Sequence, residues 1–264
     1  MHPDIPSSAE TQYLEMAGGA VAYTDEGSGP VLICIHGIPG SKRDFRWLAP
    51  ALVPHLRVIR IDLPGFGNTP RALHPGPHAN SMAEFIWQFL EGMHLTKVTI
   101  LGHSLGGVIA ARAATDNRVN ALVLLSSAGP FSHRGHYPKT YHLIDPLTRY
   151  WATRWFIIIL GRQALKIAGF HSAFSDENII TGIQCAASIV FTKHAETIKT
   201  INKPTMVAWA RDDKMVEPCV SDALVNIAPN GPRLEFNEGG HNIQKTKAIE
   251  IGETLCPWMK RGAS

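Results

Sequence analysis

The chain has 264 residues, of which 45% are apolar and 18% charged. A chain of this length buries roughly 70–75% of its extended surface, so composition excludes a disordered or collagen-like polymer and leaves room for an unstapled core. The 25 Lys and Arg against 22 Asp and Glu leave a charge of +3, which excludes the basicity of a phosphate-tracking nucleic-acid binder.

Met1 to Glu10 carries neither a basic n-region nor an apolar h-region, so no secretory signal is expected there. Residues through Tyr23 leave room for short antiparallel strands before Glu26–Pro30 turns the chain. Val31–Ile35 reads as a buried strand, and Asp44–Val53 as a helix. The alternation continues with strands at Val58–Ile61, Val98–Leu101 and Ala121–Leu125, and helices at Ser81–Gly92 and Leu105–Thr115. Thr205–Trp209 and the strand-like Arg233–Phe236 follow, with helical patterns at Val220–Ile227 and Ile243–Met259. Continuous apolar runs, not alternating ones, predict strands covered on both faces, and their alternation with helices predicts an open α/β sheet.

One segment breaks the alternation. Between Ser127 and Thr205 about seventy residues carry only helix-like patterns, too many for an ordinary connection. This predicts a helical subdomain at 131–195, inserted into a core made of 1–130 and 196–264. The insert holds ten of the 21 aromatic residues. Its seven Lys and Arg against three Asp and Glu leave +4, while the rest of the chain sums to −1. The densest apolar run, Trp155–Leu160, is far shorter than the ~20 residues of a membrane-spanning helix. Cys34, Cys185, Cys219 and Cys256 are scattered without a CxxC pattern. Together with the N-terminus, they lead to the expectation of a soluble, cytoplasmic protein.

The chemistry-bearing residues follow the predicted strands. Gly102-His103-Ser104-Leu105-Gly106-Gly107 comes after Val98–Leu101 and opens a helical stretch, the strand–turn–helix context of a nucleophile elbow. Small neighbours let the turn tighten and lift the serine hydroxyl above the sheet, while the helix N-terminus supplies positive potential. A serine hydroxyl needs a base to take its proton, and the base needs an orienting acid. His241, in Glu238-Gly-Gly-His241, is the base candidate, and Asp213, in Ala210-Arg-Asp-Asp213, is the acid candidate. Asp212 stands next to Asp213 as an alternative, with Glu217 and Glu238 behind it. His103 adjoins the serine but is expected to project away from it. A tetrahedral intermediate also needs two backbone N–H donors. Leu105 supplies one candidate, and Ile38, in the loop His36-Gly-Ile-Pro-Gly40, the other; Pro39 has no N–H to give. Asp62, in Asp62-Leu-Pro-Gly-Phe-Gly67, reads as a structural tie, and His133-x-x-His136 lacks the further ligands of a metal site.

These motifs, in this order and over nearly the whole chain, resemble the α/β-hydrolase superfamily. The resemblance implies a mostly parallel, doubly wound eight-stranded sheet with a helical cap inserted after the sixth strand, which the 131–195 insert fits. Serine at position 104 argues against epoxide hydrolases and haloalkane dehalogenases, which carry aspartate there. The His36–Gly40 loop is similar to that of capped esterases and carbon–carbon bond hydrolases.

The resulting expectation is a serine hydrolase acting on carboxylic esters of a fairly apolar small molecule. Two alternatives stay open. The same triad could serve another bond, in a diketone, an amide, a thioester or perhydrolysis; or the protein could be a small-molecule receptor with little turnover. No cofactor, metal or nucleic acid is required. The cap aromatics are expected to line an apolar pocket over Ser104 or to form the cap's own core. The cap's basic excess suits an anionic substrate or a peripheral contact with an anionic surface, and the assembly is expected to be a monomer or homodimer.

Overall fold

The computed structural model describes residues 5–73, 76, 78–136, 138–167 and 174–262. Tyr137 and Phe170, two of the insert's aromatics, lie outside the described residues. The first two strands, β1 (Gln12–Met16) and β2 (Gly19–Glu26), form an antiparallel hairpin. After it come β3 (Val31–Ile35), β4 (Arg57–Ile61), β5 (Val98–His103) and β6 (Val119–Leu125). The last two are β7 (Thr205–Ala210) and β8 (Arg233–Phe236). They make one eight-stranded sheet in the order β1-β2-β4-β3-β5-β6-β7-β8. The β2–β4 pair is antiparallel, and every pair from β4 through β8 is parallel.

Helices cover both faces. On one side lie α2 (Ala79–Gly92), α3 (Gly106–Ala113), α7 (Phe191–Thr200) and α8 (Pro218–Ile227). On the other lie α1 (Ala49–Leu52), α9 (Ile243–Thr246) and α10 (Ala248–Lys260). Successive strand residues point to opposite faces, so β3 sends Ile33 and Ile35 to the first layer and Leu32 and Cys34 to the second. Both sets are fully buried, which is why these strands read as unbroken apolar runs.

Two expected helices are split. The Asp44–Val53 pattern becomes a 3₁₀ turn, Lys42–Phe45, followed by α1. Ser41 and Asp44 form a capping box on the first piece. Pro50 sits in the first turn of the second, where its missing N–H is harmless but could not have continued a preceding helix. The Ile243–Met259 pattern breaks at Lys247 (φ −126°, ψ 30°), between α9 and α10. The Thr246 hydroxyl donates to Gly239 O at 2.7 Å, holding α9 to the loop before it.

Between β6 and β7 the chain runs through α4 (Pro138–Ile144), a 3₁₀ segment (Asp145–Arg149), α5 (Trp151–Ile167) and α6 (Asp176–Ala187) before α7. The expected boundary at residue 195 falls inside α7. That helix packs against α3 and α8, and its Ile198 is fully buried in the sheet's core, so α7 belongs to the core layer. The insert is stitched to the core through α6. Asn178 donates to Gly65 O at 2.6 Å, and Arg71 donates to Thr181 and Gln184. Chain order reverses at β3, whose flanking neighbours are β4 and β5. In open α/β sheets the crevice at such a switch point, beyond the strands' C-terminal ends, is where ligands bind.

Candidate active site

Ser104 stands at the end of β5, one residue before α3, with φ +54°. Backbone bonds hold it there. Its N–H donates to Leu125 O (3.1 Å), and its carbonyl accepts from Gly107 (3.0 Å) and Ala128 (3.2 Å). The turn admits only glycine at 102 and 106. A Cβ on Gly102 would lie 2.6 Å from Gly107 Cα, and one on Gly106 would lie 2.3 Å from His36 O. The second contact brings the elbow against the loop that follows β3.

His241 lies in the loop after β8, and Asp213 three residues past β7. His241 Nδ1 is 2.9 Å from Asp213 Oδ2, and His241 Nε2 is 2.9 Å from Ser104 Oγ. A carboxylate only accepts, so Nδ1 carries the hydrogen and the Nε2 lone pair faces the serine hydroxyl. Asp213 Oδ1 accepts two backbone N–H bonds, from Met215 (2.8 Å) and Val216 (3.0 Å). Burial works to raise the Asp213 pKa. The hydrogen bond and charge of His241, with the two amides, outweigh it and hold the carboxyl below its ordinary range.

Two of the three acidic rivals, Asp212 and Glu217, are held by other partners. Asp212 Oδ1 accepts the N–H of Gly240 at 2.7 Å, so its side chain holds the residue before His241 instead of His241 itself. Glu217 pairs with Arg134. His103 turns away from the serine, as anticipated, but reaches the His241 loop: its Nε2 donates to His241 O at 2.9 Å. Burial lowers its pKa to about 3, so the ring stays neutral and keeps this donor. Asp212 and His103 are thus the site residues that sequence reasoning missed as positioners. Adjacency to Asp213 and Ser104 was their only signal, since both bonds join segments far apart in the chain.

The His36–Gly40 loop packs on the elbow, where a Cβ on Gly37 would lie 3.2 Å from Ser104 Cβ. The His36 ring braces it by donating from Nδ1 to Gly37 O (2.7 Å) and accepting from Leu63 N at Nε2 (3.0 Å). The amides of Ile38 and Leu105 donate no hydrogen bond to any described residue. A cavity of about 620 Å³ opens on Ser104, with Ile38, Leu105, Met215 and Phe174 among its apolar walls and Arg43, Asp44, Arg46 and Lys245 among its polar ones. Of the insert's described aromatics, only Phe174 lines it. Of the two places expected for the insert's aromatics, the pocket over Ser104 thus receives Phe174 alone among the described ones. Phe191 is buried, whereas Phe131, Tyr150, Trp151, Trp155 and Phe156 face outward.

His133 and His136 are occupied by backbone carbonyls, His133 Nδ1 donating to Met215 O (3.0 Å) and His136 Nε2 to Ala186 O (2.7 Å). Among the described residues no group of three or more His, Cys, Asp or Glu is placed to hold a metal ion, and the four cysteines are free thiols. No described helix is long and apolar enough to cross a membrane.

Comparison with known proteins agrees with this architecture. The family described as "alpha/beta hydrolase fold" matches residues 30–157. The chain is 32% identical, over 95% of its length and 69% of the relative's, to the dihydrolipoyllysine-residue acetyltransferase component of the acetoin cleaving system of Pseudomonas putida. It is 25% identical to the uncharacterized hydrolase YugF of Bacillus subtilis, covering 87% of this chain and 89% of that one. A thermophilic esterase from Thermogutta terrifontis superposes with a TM-score of 0.75 over 97% of this chain and 100% of its own, at 17% identity, a likeness of fold. The chain belongs to the α/β-hydrolase family.

Proposed function

We propose that the protein is a serine hydrolase that cleaves carboxylic esters of a fairly apolar small molecule. The observation that carries this reading is the continuous hydrogen-bonded chain from Ser104 Oγ through His241 to Asp213, 2.9 Å at each link. In this reading Ser104 Oγ attacks the ester carbonyl carbon while His241 Nε2 takes the hydroxyl proton. Asp213 holds the ring in the tautomer that can accept it and stabilises the imidazolium that forms. The oxyanion develops toward the free amides of Ile38 and Leu105. His241 then returns the proton to the departing alkoxide, the alcohol leaves, and water resolves the acyl-enzyme by the same route in reverse roles. The apolar part of the substrate rests on Ile38, Leu105, Met215 and Phe174. The insert serves as the lid of this cavity through His133, Phe174 and Asn178.

The test is release of p-nitrophenol from esters of increasing chain length. Ser104→Ala should abolish turnover with an unchanged circular dichroism spectrum. Asp213→Asn should lower kcat by about 10⁴, since the ring loses its tautomer partner. Asp212→Ala removes a single exposed bond to the loop and should lower kcat by no more than about tenfold. Turnover that survives in Ser104→Ala, or an Asp212 variant more damaged than the Asp213 one, would overturn the assignment.

A further inference from the structure

The apolar side chains of α5 are turned to both sides. Ile157 and Ile158 are buried against Ile179 and Ile180 of α6. Around the rest of the helix Trp151 is 88% exposed, Trp155 67% and Leu160 52%. The spacing of Trp151, Trp155 and Ile159 puts them in one row along the helix, with Phe156 and Leu160 in the next. Leu143 at the end of α4 and Tyr150 before α5 extend the patch. Of the twelve most exposed large apolar side chains among the described residues, nine fall between Phe131 and Leu160. Such clustering is not the scatter of a solvated surface.

Charge decides what can cover it. Arg149 is paired with Asp145 and Arg162 with Asp176, but Lys139, Arg154 and Lys166 have no acidic partner among the described residues. A second copy meeting this face across a two-fold axis would bring like cations together around the apolar centre. A spanning orientation does not suit α5, whose described residues carry Arg154, Arg162 and Lys166 along their length. An anionic lipid surface satisfies both features at once. Tryptophan and leucine enter the boundary between headgroups and acyl chains, and lysine and arginine stay among the phosphates.

We propose that α4, the 3₁₀ segment after it and α5 form a surface that lies flat on a membrane containing anionic phospholipid. Trp151, Trp155, Phe156 and Leu160 are inserted, and Lys139, Arg154 and Lys166 lie on the headgroups. This inference rests on the outer face of the insert and stands independently of the bond the active site cleaves.

The test is co-sedimentation of the whole chain with phosphatidylcholine vesicles that contain or lack phosphatidylglycerol, with tryptophan fluorescence read in parallel. Binding to the anionic vesicles with a blue shift, weakened by salt, is expected. The Trp151→Ser/Trp155→Ser double variant should bind at least about tenfold more weakly. Each of Lys139→Gln and Arg154→Gln should weaken binding about fivefold and leave turnover of a soluble ester unchanged. Absence of vesicle binding by the parent chain, or binding that ignores the tryptophan substitutions, would overturn the proposal. So would a dimer that light scattering shows to be lost in the tryptophan double variant, which would assign the face to a second copy.

Discussion

The left-handed backbone of Ser104 (φ +54°) is disfavoured by its Cβ by roughly 1–2 kcal/mol. The neighbours that enforce it are named: the bonds to Leu125, Gly107 and Ala128, and the glycines at 102 and 106, where no side chain fits. Replacing Ser104 by glycine relieves the strain but adds roughly 0.5–1 kcal/mol of chain entropy to the unfolded state. The net is positive. Ser104→Gly should therefore be about 0.5–1 kcal/mol more stable than Ser104→Ala in urea unfolding, with both inactive. Equal midpoints would mean that the turn does not strain the serine. At this scale the sequence marked Ser104, His241 and Asp213 as candidates, because each stands just beyond a predicted strand, and the structure brings the three together. It was not readable for Asp212 and His103, whose roles are bonds to the backbone of Gly240 and His241.

Among the elements, the end of β4 is joined to the loop after β3 by one carboxylate. Asp62 accepts from Lys42 N (2.7 Å), Lys42 Nζ (2.6 Å) and Asn68 N (2.9 Å), with both charged side chains at most 5% exposed. Lys42 lies two residues beyond Gly40, so this pair sets the far end of the loop that carries Ile38. Asp62→Ala would leave a buried ammonium unpaired and should lose about 3–5 kcal/mol of stability. A thermal midpoint within a degree or two of the parent would contradict the burial argument. The motif Asp62-Leu-Pro-Gly-Phe-Gly67 announced a tie; its partner, twenty positions back, was not announced.

For the whole molecule, buried histidines set the response to acid. Burial lowers His103 to about 3, and His133 and His194 to about 4 each. From roughly pH 6.5 downward the unfolded chain binds protons at these rings that the folded chain does not, so stability falls with pH in that window. Each ring contributes up to about 1.4 kcal/mol per pH unit. The Asp213 carboxyl, held below its ordinary range, adds its loss only below about pH 4. Thermal midpoints should therefore decline between pH 6.5 and 5, before carboxylates titrate. His194→Gln, which keeps a donor for Ala128 O, should flatten the decline. A midpoint constant down to pH 5 would show that these rings titrate in the folded state as they do in the unfolded chain.

The sequence by itself determined that the strands are covered on both faces, and it marked the candidate residues of the site. Strands covered on both faces must be continuously apolar, and an elbow this tight must be flanked by glycine. These are local requirements, and they leave local traces at Val31–Ile35 and Gly102–Gly107. The tertiary structure alone decided which carboxylate faces His241, which face of α5 is left bare, and why Phe131, Tyr150, Trp151, Trp155 and Phe156 face outward. Each of those outcomes depends on what packs opposite. Asp212 and Asp213 are neighbours in the chain, and only the arrival of the β8 loop separates their roles. Trp151 and Ile158 belong to the same helix, and the position of α6 decides which of them is buried.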